Sequence, residues 1–186
     1  EFHSELSEIL KAAKTPAKQV KALNTFKDLQ LFRTDLRHVL GHCGPFGTFS
    51  DEITELAEVI VDAACQIAFA ELRDAHGVPK LADGTTCPFT IVALGKFGGV
   101  EMGFASDIEM FLVFQEECRT DSNSAMTASH FFERMIARVT DIIKCRHKGI
   151  FAIDLRMRPY GQAGSPAVSL NSLKSYFAPD GDAWPY

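Results

Sequence analysis

The sequence lacks the features that define several other classes of protein. No apolar run reaches the roughly 20 residues that a membrane-spanning helix needs, so we expect no membrane association. No secretory signal pattern opens the chain, and its 5 cysteines are scattered, with no Cys-x-x-Cys pair. This cysteine usage predicts reduced thiols in a cytoplasmic protein rather than disulfides or a zinc site.

Basic charge is also scarce. Lys and Arg number 19 against 24 Asp and Glu, which gives a net charge of −5. A protein that follows a nucleic-acid backbone usually presents a basic stripe, and the lysines here cluster only loosely near the N-terminus. We therefore expect no nucleic-acid partner. Hydrophobic residues, at 46%, are plentiful enough for a core, and 15 of them are phenylalanine.

The order of elements along the chain is helical first and mixed later. Apolar periodicity predicts helices over residues 6–14, 17–40, about 50–76 and 127–145, and strands over residues 89–94, 108–114 and 150–159. This order favours an α/β (α+β) fold with a small mixed sheet and helices packed on one side of it. We expect residues 1–80 to form a helical extension packed on a core of residues 81–186.

Residues 94–110 carry the strongest chemical signal. A Gly-rich turn, Gly-Lys-Phe-Gly-Gly at residues 95–99, leads through a connector into Asp107 and Glu109 at the start of an apolar strand. Side chains alternate on a strand, so the two acids project the same way, roughly 7 Å apart. A carboxylate in an apolar run is costly unless it is paired, and a divalent cation with a preference for hard oxygen ligands removes that cost. The pattern favours Mg²⁺ or Mn²⁺, although two acids that simply face water are the alternative.

A third acid follows in residues 150–159. If this stretch is one strand, Phe151, Ile153, Leu155 and Met157 share one face, and Asp154, Arg156 and Arg158 share the other. One interpretation is an exposed ladder of ion pairs. The other is a catalytic face on which Asp154 completes a carboxylate triad and the two arginines bind phosphate.

Both segments together resemble the nucleotidyltransferase domain of the glutamine synthetase adenylyltransferase family, within the DNA polymerase beta-like superfamily. The resemblance rests on the Gly-rich turn, on Ser106-Asp107-Ile108-Glu109, and on Asp154-Leu155-Arg156-Met157-Arg158-Pro159. It implies metal-dependent transfer of AMP from ATP to a tyrosine of glutamine synthetase, or the reverse removal, in the regulation of nitrogen assimilation. It also implies a PII-type regulator that acts through domains outside this chain.

The resemblance assigns roles to individual residues. It makes Asp107, Glu109 and Asp154 the catalytic, metal-binding carboxylates. It implies nucleotide contacts from Gly95, Lys96, Gly98, Gly99, Ser106, Arg156 and Arg158, in which the glycine amides and Ser106 cradle phosphates. For the two arginines, the sequence does not decide between binding phosphate and holding Asp154 in place.

One residue departs from the family pattern. Glu109 stands where the family usually has aspartate, which leaves open a weakened or altered metal site. A catalytically weak, nucleotide-binding regulatory module is therefore the alternative hypothesis. An RNA-tailing nucleotidyltransferase would share the acids, but the acidic net charge disfavours it.

Overall fold

A computed structural model of the chain describes residues 1–45, 47–123, 125–146 and 150–183. Three long helices come first, and short strands alternate with helices after them, so the predicted α/β class is confirmed. The elements are α1 (Phe2–Ala12), α2 (Pro16–Val39), α3 (Thr48–His76), β1 (Pro79–Lys80), β2 (Phe89–Ala93), α4 (Gly95–Gly98), β3 (Ile108–Phe114), β4 (Arg119–Thr120), α5 (Ala128–Ile142), β5 (Ile153–Asp154), a 3₁₀ turn (Gly161–Ala163), β6 (Ala167–Ser169) and α6 (Leu170–Tyr176).

Strand β3 is the centre of the main sheet. It pairs antiparallel with β2 on one edge and parallel with both β5 and β6 on the other. The residues Ile108, Met110, Leu112 and Phe114 alternate along β3 and all belong to the buried hydrophobic core. The intervening residues, Glu109 among them, therefore project from the opposite face of the strand.

The core lies between this face of the sheet and the helices. Helix α5 is capped by the Thr127 side chain and buries Phe131 and Phe132 completely. Phe132 contacts Phe89 of β2 and Phe114 of β3, with ring centroids 5.2 Å apart in both pairs. Phe69 of α3 contacts Phe89 and Phe131, with ring centroids 5.7 Å apart in both pairs, so phenylalanine side chains fill the junction of α3, α5 and the sheet.

Helix α2 is tied to the end of α5 by one amide side chain. Asn24 Nδ2 donates to the carbonyl of Ile142 and Asn24 Oδ1 accepts from the N–H of Lys144, each at 2.8 Å. These bonds satisfy a carbonyl and an amide that the end of a helix leaves without intrahelical partners. The N-terminal helices are therefore bonded directly to the segment that leads towards β5.

The third predicted strand is mostly wrong. Of residues 150–159 only Ile153 and Asp154 form a strand, and the chain then leaves the sheet as a loop over residues 155–166 before it returns as β6. Arg158 explains the departure, because its guanidinium donates to the backbone carbonyls of Leu155, Gln162 and Gly164 and so closes the loop on itself. We call residues 155–166 the arginine loop.

Across the described residues, no helix combines the length and the apolar character that crossing a membrane requires.

Candidate active site

The sheet brings the predicted acids together. In the parallel β3–β5 pair, Glu109 lies directly opposite Asp154, and Asp107 lies just before β3. Two further backbone bonds extend this pairing, from Ile108 N–H to the carbonyl of Ala152 at 2.8 Å and from Phe151 N–H to the carbonyl of Ser106 at 3.1 Å. Two short segments that are distant in sequence thus bring the backbones of three acidic residues close together.

Asp107 lines an open cavity of about 400 Å³. The cavity is bounded by the arginine loop and β5, through Ile153, Asp154, Leu155, Arg156 and Arg158. Within the described part of the chain, Asp107 Oδ1 is buried and has no hydrogen-bond partner. A buried carboxylate oxygen without a partner is costly, so the position is suited to an added cation or donor.

Glu109 is seated against the Gly-rich turn. A Cβ built on Gly95 would come within 1.7 Å of Glu109 Oε2, so the carboxylate occupies the space that any other side chain at residue 95 would need. Gly95 also has a φ of +52°, in the left-handed region that favours glycine. The absence of a side chain at Gly95 therefore leaves the space that the Glu109 carboxylate occupies.

The remainder of the Gly-rich turn forms α4. The N–H groups of Gly98 and Gly99 donate to the carbonyls of Leu94 and Gly95 at 2.9 and 3.0 Å, so both amides are already used inside this single helical turn. Gly98 has a steric role as well, because a Cβ there would lie 2.5 Å from the carbonyl oxygen of Ala93. Lys96 is exposed on the same turn.

Ser106 organises the connector rather than lining an open surface. Its side chain is 5% exposed, and its Oγ accepts the N–H of Gly103 at 2.9 Å. Its backbone carbonyl accepts the N–H of Phe151. Ser106 thus fixes the backbone that carries Asp107 next to the segment that carries Asp154.

Asp154 is held by Arg156. Arg156 Nε lies 3.0 Å from Oδ1 and 2.9 Å from Oδ2, Nη2 lies 2.6 Å from Oδ2, and the Arg156 backbone N–H donates to Oδ1 at 2.9 Å. The hydrogen bonds from the Arg156 side chain hold the pKa of Asp154 below its usual value of 3.8. Asp154 is therefore ionised at neutral pH, but its oxygens already have donors.

The two arginines have separate tasks. Arg156 bonds to Asp154 and has a side chain that is 69% exposed, whereas Arg158 is committed to backbone carbonyls of its own loop. The sequence left open whether these residues bind phosphate or hold Asp154. In the structure Arg156 holds Asp154, and Arg158 shapes the loop around it.

The donor set suits a hard cation, but it is not assembled as a closed cage. Among the residues that the structure describes, no group of three or more His, Cys, Asp or Glu side chains converges as metal ligands do. Asp107, with its unpartnered oxygen, and Glu109, with its glycine seat, offer the carboxylate oxygens that Mg²⁺ and Mn²⁺ prefer. Asp154 fits the same role only when Arg156 releases it.

Sequence reasoning missed the parts of the site that are built from backbone. The carbonyls that anchor Arg158 carry no side-chain signature, and neither does Gly164, where a Cβ would lie 2.0 Å from the carbonyl oxygen of Pro159. The exposed apolar surface of the arginine loop was missed too: Met157 and Tyr160 are 51% and 55% exposed. The Gly-x-x-Gly spacing of residues 161–164 after the Arg-Pro pair was the available signal for a tight loop.

Known proteins are similar to this sequence over almost its entire length. The model of a family described as glutamate-ammonia ligase adenylyltransferase matches residues 1–185. A bifunctional glutamine synthetase adenylyltransferase/adenylyl-removing enzyme from Shewanella loihica is 32% identical over 98% of this chain, and one from Thioalkalivibrio sulfidiphilus is 27% identical over 99%. The chain spans only 19% of the length of each of these relatives.

Proposed function

The chain belongs to the glutamate-ammonia ligase adenylyltransferase family, and on that premise we propose that it is a metal-dependent nucleotidyltransferase domain that uses ATP. We propose glutamine synthetase as its protein substrate, modified or restored on a tyrosine. The observation that carries the proposal is the β3–β5 register, which sets Glu109 opposite Asp154 next to the unpartnered oxygen of Asp107.

In this proposal Asp107 and Glu109 would hold Mg²⁺ or Mn²⁺, and Asp154 would add its carboxylate once Arg156 releases it. A cation bound there neutralises phosphate charge and polarises the reacting phosphorus centre. Glu109 keeps its position because Gly95 leaves it room, and Ser106 keeps Asp107 close to β5.

The Gly-rich turn and the exposed cations would bind the triphosphate. Because the amides of Gly98 and Gly99 bond within α4, the amides available to a phosphate are those at the start of that turn, on Gly95 and Lys96. Lys96 and Arg156 are exposed and positively charged, so they add mobile donors beside these fixed ones.

The chemistry is a displacement at phosphorus. In the forward direction the tyrosine oxygen forms a bond to the α-phosphorus of ATP, the bond to the β-phosphate oxygen breaks, and pyrophosphate leaves. The phenolic proton passes to a base, for which Asp154 is the candidate because the resemblance places it beside the acceptor; the hydrogen bonds from Arg156 that lower its pKa must be released before it takes up a proton. In the reverse, removing direction, inorganic phosphate attacks the same phosphorus, and tyrosine leaves with ADP as the second product.

A catalytically weak, nucleotide-binding regulatory module is the second candidate. Two observations favour it: Glu109 replaces the aspartate that the family usually has, and the oxygens of Asp154 are engaged by Arg156. Such a module would bind ATP without labelling an acceptor.

Calorimetric titration of Mg²⁺ and ATP into the purified chain separates these candidates, with Asp107→Asn as the test variant and Asp74→Asn as the control. Asp74 is an exposed aspartate paired with its neighbour Arg73. Metal-dependent ATP binding that Asp107→Asn abolishes and Asp74→Asn preserves supports the assignment. Transfer of labelled AMP to glutamine synthetase then distinguishes the enzyme from the binding module. ATP binding that ignores both metal and Asp107 refutes the proposed site.

A further inference from the structure

Arg156 engages both oxygens of the Asp154 carboxylate. An ionised carboxylate offers about four lone-pair positions, and here three N–H groups of one residue reach its two oxygens, with the single Nε–H shared between them. The Asp154 side chain is only 10% exposed, so its approaches are further restricted by the surrounding loop. In this arrangement each oxygen of Asp154 already accepts hydrogen bonds from Arg156, which competes with a cation for them.

The partner that holds Asp154 is nevertheless free to leave. The Arg156 side chain is 69% exposed, so it can move away without uncovering a packed core. Arg158 offers the contrast, because three backbone carbonyls anchor its guanidinium. Of the two arginines beside Asp154, Arg156 is therefore the one that can exchange its partner.

Arg156 also lies where a triphosphate would arrive. It lines the cavity that Asp107 lines, and its guanidinium is within electrostatic range of both Asp107 and Glu109. A planar guanidinium binds phosphate oxygens through the same two-pronged geometry with which it binds a carboxylate. A metal–triphosphate complex therefore offers a metal ion as a partner for Asp154 and phosphate oxygens as partners for Arg156.

We propose that Arg156 is a displaceable positioning residue, which occupies Asp154 in the nucleotide-free protein and exchanges it for the triphosphate when metal and nucleotide bind together. This inference rests on the proposed function. The exchange makes metal alone a poor ligand, because Asp154 is blocked, and metal with triphosphate a good one, because both partners of the pair are satisfied again.

The test measures Mn²⁺ binding to the complete chain by electron paramagnetic resonance, first alone and then with inorganic triphosphate. Arg156→Ala removes the competitor, so we expect Mn²⁺ alone to bind about three- to tenfold more tightly than in the parent chain. In the presence of Mn²⁺ we expect Arg156→Ala to bind triphosphate about tenfold more weakly than the parent chain, because the guanidinium partner of the triphosphate is gone. A residue with a purely structural role would not produce effects of opposite sign.

The chain provides a matched control. Arg37 also bonds both oxygens of a carboxylate, Glu52, and is half-exposed on helix α2. Arg37→Ala removes an ion pair of the same kind and should leave both titrations unchanged. The double variant Arg156→Ala/Asp154→Asn should lose the gain in Mn²⁺ affinity, which would assign that gain to the freed carboxylate.

The outcomes separate this inference from the proposed function. Mn²⁺ binding that requires Asp107 but is unaffected by Arg156→Ala overturns the exchange and leaves the metal site intact. Absence of Mn²⁺ binding in every variant overturns both. If Arg156→Ala does not fold, Arg156→Lys decides: it keeps the charge but loses the two-pronged geometry, and Mn²⁺ affinity equal to that of the parent chain would refute the exchange.

Discussion

Gly95 provides the most direct test of how the site is built. Replacing it with alanine would place a methyl group 1.7 Å from Glu109 Oε2 and 2.7 Å from Glu109 Cδ. The side chain of Glu109 must then leave its position, and residue 95 must still adopt a φ of +52°. We expect Gly95→Ala to destabilise the fold and to weaken metal binding together.

The magnitude follows from two contributions. A non-glycine residue in the left-handed region costs about 1 kcal/mol, and forcing Glu109 into a poorer rotamer costs about another 1 kcal/mol. The free energy of unfolding should therefore fall by about 2 kcal/mol, which lowers the melting temperature of a chain of this size by about 4 to 8 °C.

Two controls isolate the contribution of Glu109. Gly41 has a φ of +71°, and no described atom lies within 4 Å of a Cβ built there, so Gly41→Ala reports the backbone cost alone. In a double-mutant cycle with Glu109→Ala, the steric part of the Gly95→Ala effect should disappear, leaving a coupling of about 1 kcal/mol. Thermal unfolding measures stability, and Mn²⁺ titration measures the site.

Two results would refute this reasoning. If Gly95→Ala and Gly41→Ala destabilise equally, the clash with Glu109 is absent in solution. If Gly95→Ala binds Mn²⁺ as well as the parent chain, the seat of Glu109 does not position a metal ligand.

Three further predictions concern the surroundings of the site. Arg158→Met removes the bonds to the carbonyls that close the arginine loop, so it should lower the free energy of unfolding by about 2 to 4 kcal/mol in urea titrations; an effect within error of zero would show that the loop closes without it. Asn24→Ala should cost about 1 to 3 kcal/mol, because a carbonyl and an amide at the end of α5 lose their partner, and unchanged stability would contradict that role. Arg156 lowers the pKa of Asp154 in the folded state, so the pair stabilises the fold at pH values above the ordinary 3.8 and loses this effect as pH falls through the lower, folded-state pKa. The free energy of unfolding measured against pH should therefore fall less steeply at acid pH in Arg156→Ala than in the parent chain. Identical pH dependence in the two proteins would show that the ion pair does not contribute to stability.

The sequence indicated that the acid-bearing strands belong to one sheet, because alternating apolar residues mark both strands and helical periodicity marks the segment between them. Alternation predicted that Asp107 and Glu109 project the same way, and a helix between two strands is typical of a crossover that returns the chain to the same sheet. The observed Glu109–Asp154 register fulfils the expectation that the two acid-bearing strands are neighbours.

The arginine loop could not be predicted in the same way. A period of two is satisfied by any extended segment, so alternation over residues 151–158 indicated a strand that the structure ends at Asp154. The groups that end it are backbone carbonyls bound to Arg158, and their proximity depends on a turn whose geometry no single residue specifies. The role of Gly95 was hidden for a related reason, because its steric partner, Glu109, is adjacent only in three dimensions.

The position of β3 between its neighbours has a consequence for the order of folding. Strand β2 precedes β3 by a short connector, whereas β5 and β6 come after the whole of α5 in the chain. Pairings that close more intervening chain pay a larger entropic cost and tend to form later. We therefore expect a refolding chain to regain its helical circular dichroism before Asp154 arrives beside Glu109, so that the capacity to bind Mn²⁺ returns last. Recovery of Mn²⁺ binding would then indicate that the whole chain has folded.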